Sequence, residues 1–227
     1  MFRRCLMTTG ILALVLSSVC FAADLWETTP FTGWTSETMQ VLLGASPWAG
    51  EATVTRVRTP APGTPAPLTE KAVVTWTTAL PMRQALVREA VGLNGSVPKD
   101  AEAYLSATPN TYIVALKIFG APTSASYAAQ AQAVQKETFL IRTDGRNPLD
   151  AITVEGRALD SSGRILADPA AAQSVDGGAT VFVFQFSRGL ALTMLDREVE
   201  FVTKVGSLNI KKKFKMKDMV YKGELAL

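Results

Sequence analysis

The sequence predicts an α+β protein: a mainly antiparallel sheet with short flanking helices over 23–136, followed by an immunoglobulin-like β-sandwich over 137–227. Three observations predict it. Short apolar-periodic stretches bounded by Pro and Gly occupy the first half. Runs of β-branched and aromatic residues separated by turn residues fill the second half. The last two runs, REVEFVTKV and LNIKKKFKM, flank Gly206-Ser207 and set opposite charges across a hairpin. No linker marks the change near residue 136, so a single shared core stays open as the alternative to two regions.

The elements follow in order. Thr35 caps a short helix whose first turn holds Glu37 and whose apolar face is Met39, Leu42 and Leu43; Gly44 and then Pro47 end it. Residues 51–58 are β-branched and read as a strand. The stretch 59–67 holds four prolines in nine residues and reads as a loop. Residues 71–78 form a second strand around Trp76. Pro81 opens a helix with Met82, Ala85, Leu86 and Ala90 on its apolar face and Arg83, Gln84 and Arg88 off it. A short helix follows Pro98. Residues 111–119 are apolar on both faces, as a central strand should be, and the alanine-rich 124–135 reads as helix.

Beyond 137 the pattern is all β. A DGRNP turn separates TFLIRT from ITVEGRAL, and Gly163 suits a bulged hairpin loop. Phe182, Phe184 and Phe186 share one face of the run 180–186. In the last hairpin a two-residue turn sets Val199 opposite Phe214 and Thr203 opposite Ile210 on one face. Glu200 then meets Lys213, and Glu198 meets Lys215, on the other. No repeat of fixed period is present.

Composition limits the chemistry. The chain has 227 residues, a net charge of +3, no His and two Cys. Residues 1–22 read as a signal peptide. Arg3 and Arg4 precede an apolar run from Gly10 to Phe21, too short to span a bilayer, and Cys20 and Ala22 occupy the small-residue positions before cleavage. Lipid anchoring at Cys20 is disfavoured, because Ser17 and Val19 stand where Leu and a small residue are wanted. The remainder would be nearly neutral and hold neither thiol nor imidazole. That excludes disulfides, Cys/His metal sites, haem ligation and Ser-His-Asp relays. An oxygen-only Ca²⁺ or Mg²⁺ site stays possible in principle, but no metal or cofactor motif is present. The charge argues against nucleic acid as partner, and no later segment is long and apolar enough for a transmembrane helix.

The segments WTSETMQVLLGASPWAG, VTWTTALPMRQAL and VEFVTKVGSLNIKKKFKMKDMVYKGEL resemble a group of exported bacterial proteins of acidobacterial type. These share a Trp-Thr…Ser-Pro-Trp-Ala opening and a Lys-Phe-Lys…Asp-Met-Val ending. The resemblance covers the two ends and one middle segment, about a third of the chain beyond residue 22. It implies export to a bacterial envelope and carries over no activity, cofactor or site.

Two candidate surfaces emerge. Trp34, Trp48 and Arg83 are candidate ligand contacts, since a Trp after a helix-stopping Pro can offer a flat ring to a groove; equally, Trp48 can fill the space between helix and sheet. Lys211, Lys213, Lys215 and Lys217 alternate along one strand as a candidate surface for an anionic lipid, a glycan or an envelope protein; equally, they form a solvated face that blocks edge pairing. The carboxylates Glu70, Asp144, Asp150, Glu155, Asp160, Asp168 and Asp176 are the residues from which a glycosidase pair would be drawn, but most sit in turn contexts that explain them. The leading expectation is an exported envelope protein that binds rather than catalyses. A carboxylate-dependent polysaccharide hydrolase and a secreted subunit of a larger assembly are the alternatives.

Overall fold

A computed structural model describes residues 26–56, 71–119, 131–160, 165 and 178–227. The expected signal peptide, the proline loop, most of the 124–135 helix, Gly163, Glu70, Asp168 and Asp176 lie outside the described residues.

The described helices are α1 (Ser36–Gly44), α2 (Leu80–Val91), α3 (Lys99–Ser106) and α4 (Ala131–Lys136). The strands are β1 (Ala49–Glu51), β2 (Thr53–Arg56), β3 (Lys71–Trp76), β4 (Thr111–Phe119), β5 (Phe139–Arg142), β6 (Leu149–Leu159), β7 (Ala179–Ser187), β8 (Glu198–Val205), β9 (Leu208–Lys215), β10 (Val220–Tyr221) and β11 (Glu224–Leu225). The main sheet is antiparallel, with the order β1-β3-β4-β7-β6-β5-β8-β9-β2. Its two outer members, β1 and β2, are separated only by Ala52. One extended segment therefore pairs with β3 before Ala52 and with β9 after it (Gly50 opposite Val74, Thr53 opposite Lys211). The sheet curls into a nearly closed barrel, which removes most of its exposed edge.

This order differs from the expected immunoglobulin-like sandwich over 137–227. Strands β1–β9 form one ladder, with β10 and β11 as a separate two-stranded pair, and not two facing sheets. Chain from both sides of residue 136 is interleaved: β4 lies against β7, and β2 against β9. One core runs through both regions. The expectation failed because strand number and turn spacing are the same for a sandwich and a barrel. Only the partner change at Ala52 separates them, and nothing in EATVTRVR announces it.

Period-2 burial explains the barrel interior. Tyr112, Val114, Leu116 and Ile118 of β4 face inward, as do Phe182, Phe184 and Phe186 of β7 and Val199, Phe201, Thr203 and Val205 of β8. Phe184 lies 5.3 Å from Phe201, and Phe186 meets the same ring edge-on at 6.5 Å. Burying each such ring contributes about 1.5–3 kcal/mol. The one polar pair among them, Thr138 and Thr203, is satisfied by a 2.6 Å bond between hydroxyls. The β8–β9 hairpin has the expected register throughout, with Gly206 at φ 58° supplying the positive φ of its turn.

The end of the barrel where β7 finishes and β8 starts carries α1, α2, α3 and the C-terminal residues. Thr35 caps α1 as expected, its hydroxyl accepting from the Thr38 N–H at 3.3 Å. The expected face of α2 is half right: Met82 and Ala85 are buried. Arg83, Gln84 and Arg88 are buried, while Leu86 is 37% exposed and Ala90 is also exposed. The physical reason is that the arginines find backbone carbonyls. Arg88 binds Gly92, Leu93 and Gly95, which closes the helix C-terminus, and Arg83 binds Tyr104 and Ala107.

Candidate functional site

Trp34 and Trp48 sit in the core, and neither ring reaches a surface that a ligand could touch. The Trp34 indole N–H donates to the Thr29 carbonyl at 3.0 Å, and that of Trp48 to the Ala226 carbonyl at 2.8 Å. Trp48 packs edge-on against Trp26 and Tyr221, each at 6.4 Å. Arg83 is buried too. Its guanidinium joins α2 to the end of α3, 2.6 Å from the Tyr104 carbonyl, and burial together with the nearby Arg188 lowers its pKa while the Tyr104 ring side favours the charge. As ligand contacts these three residues are therefore corrected: they are packing and tethering groups.

Lys211, Lys213 and Lys215 are exposed on the outer face of β9, and Lys217 is exposed in the turn that follows. Lys213 pairs diagonally with Glu198 at 3.0 Å, which raises its pKa. Lys212, between them, shares the inward side of Phe201. Its ammonium lies 2.8 Å from where a Cβ on Gly50 would stand, and burial lowers its pKa.

Of the candidate acids, Asp144 is held by Arg146 and Glu155 pairs with Arg157 at 3.0 Å. No group of three His, Cys, Asp or Glu side chains that could hold a metal ion occurs among the described residues. No helix there is long and apolar enough to cross a membrane.

The feature that sequence reasoning passed over is the connection 188–197, between β7 and β8. Its inner side is firmly anchored. The Leu192 N–H donates to Tyr112 Oη at 2.8 Å, and Leu192 is itself buried. Arg188 lies over the Tyr112 ring at 4.6 Å and donates to the Pro109 carbonyl. Asp196 is fully buried. It caps a one-turn 3-10 helix (Met194–Asp196) through the Thr193 N–H and faces both Arg142, at 3.5 Å, and Arg146. Arg142 in turn donates to the Leu190 carbonyl. Arg197 leaves this turn at φ 56°, a conformation an L-residue adopts at a cost, and its own carbonyl is fixed by the Met216 N–H at 2.9 Å.

The outer side of the same connection is apolar and open. Leu190 is 57% exposed, Met194 48% and Leu195 83%. Beside them is a groove of 330 Å³ lined by Met194, Arg197, Glu198, Lys215 and Lys217. Among the described residues Arg197, Lys215 and Lys217 form no ion pair, whereas Glu198 is taken by Lys213. The sequence held a signal in the segment RGLALTMLDR, where Leu190, Leu192 and Met194 alternate between arginines and Leu195 breaks the alternation.

No protein family, no characterised protein and no solved structure matches this chain significantly.

Proposed function

We propose that this is an exported bacterial envelope protein that works by docking, with no catalytic step of its own. The observation that carries the reading is the contrast across 188–197. The inner side is locked by buried ion pairs and hydrogen bonds, while three large apolar side chains are turned outward beside unpaired cations. Burying Leu192 and Asp196 while exposing Leu195 costs solvation that a monomer has no structural need to spend. The packed aromatic interior supports a scaffold role for the barrel. Export rests on the leader-like residues 1–22 and on the resemblance described above.

The test is fractionation of a bacterial host expressing the full chain, with a photo-crosslinking residue in place of Leu195. The reading expects the chain in the envelope fraction and crosslinks concentrated at position 195 over a control at exposed Lys204. Cytoplasmic retention, or equal crosslinking at both positions, contradicts it.

A further inference from the structure

We propose that the connection 188–197, with the end of β9 and its following turn, is a membrane-docking tip for anionic phospholipid. The inference rests on the docking reading above and names its partner.

Four features of the tip converge. First, the apolar residues of the connection are open to solvent, Leu195 at 83% and Leu190 at 57%, and neither of these two lines the groove. A peptide or ligand is held by concave surfaces that surround it, whereas a bilayer receives projecting side chains. Second, cations lie beside the apolar connection: Lys215 at the end of β9, Lys217 in the turn after it and Arg197 all line one groove with Met194. Third, those cations form no ion pair among the described residues: the nearby acids Glu198, Asp196 and Asp144 are bound to Lys213, Arg142 and Arg146, while Glu200 faces Lys213 and Asp218 is exposed beside Lys217. Fourth, the tip is rigid. The buried Asp196 network and the Tyr112–Leu192 bond fix its base, so little ordering is lost on insertion.

Basic side chains attracted to an anionic surface and a few apolar side chains buried in it act together. Reversible binding follows, selective for negative headgroups and weakened by salt.

The experiment is vesicle flotation of the full-length protein, with phosphatidylcholine alone and with phosphatidylcholine containing phosphatidylglycerol. Binding is expected only to the mixed vesicles and should fall at high salt. Leu195→Asp should weaken it at least about tenfold, and Lys215→Glu with Lys217→Glu should abolish the preference for the anionic lipid. The altered side chains are exposed, so thermal unfolding should stay unchanged. Leu195→Ser serves if the charged variant misfolds. Equal binding to both vesicle types, or binding to mixed vesicles that none of these variants alters, overturns the proposal. So does concentration-dependent self-association that Leu195→Asp abolishes, which would make the tip a contact between copies. A chain that floats with no vesicle yet still crosslinks from position 195 to an envelope protein refutes the lipid assignment and leaves the docking reading standing.

Discussion

The indole N–H of Trp48 donates to the carbonyl oxygen of Ala226 at 2.8 Å, across 178 residues of sequence. The last residues of the chain are thereby tied to the start of the strand that closes the barrel, and the two ends of the described chain share one cluster with Trp26 and Tyr221.

Trp48→Phe keeps most of the buried area but strands the Ala226 carbonyl, and should cost about 1–3 kcal/mol. Trp48→Ala also opens a cavity and should cost about 3–5 kcal/mol. Urea unfolding followed by circular dichroism separates the two, and a Trp48→Phe variant as stable as the parent would mean that the hydrogen bond contributes nothing.

Asp196 and Arg142 are both fully buried, whereas Arg146 is half exposed. Asp196→Asn leaves Arg142 without a counter-charge in the interior and should lower the unfolding free energy by about 3–5 kcal/mol. Arg146→Gln removes only the outer partner, and about 1 kcal/mol or less is expected. Denaturant midpoints of the two variants test this ranking.

The Tyr221 hydroxyl donates to Gln84 Oε1 at 2.9 Å, and burial, assisted by Glu27, pushes its pKa up to about 12. An unfolded tyrosine ionises near 10. The stability this group contributes is therefore complete below about pH 10 and is lost as the pH rises toward 12. Tyr221→Phe should flatten the alkaline part of the stability curve relative to the parent. A parallel pair of curves above pH 10 would refute the assignment.

Arg83 holds the carbonyls of Tyr104 and Ala107 from a buried position with no carboxylate beside it. Arg83→Met should release α3 while leaving the barrel closed. Amide exchange is expected to quicken over 99–107 and to stay unchanged over β7, with a global cost of about 1–3 kcal/mol. Protection retained over 99–107 would show that other contacts hold α3.

Local rules made the hairpin and the caps legible. Glu200 opposite Lys213, Thr35 at the start of α1 and the inward row Phe182-Phe184-Phe186 all follow from alternation or capping, which neighbouring residues decide. The rest depends on distant partners. The α2 face was half misread because periodicity counts Arg83 and Arg88 as polar, whereas their heads reach carbonyls that only the folded chain supplies. Trp34 and Trp48 were weighed as ligand contacts because a sequence cannot tell a ring that plugs from one that projects. The tip at 188–197 went unread because Leu190, Leu192 and Met194 alternate as a strand's buried face would, while the exposure of Leu190 and Met194 is a tertiary fact.

The change of partner at Ala52 also has a kinetic side. Thr53–Arg56 must wait for Leu208–Lys211, made long after it, before the ring can shut. Contact order of this kind places folding among the slower β topologies. A polypeptide interrupted before Leu208 leaves β8 and β2 without the strand that joins them, each a template for pairing with a neighbouring molecule.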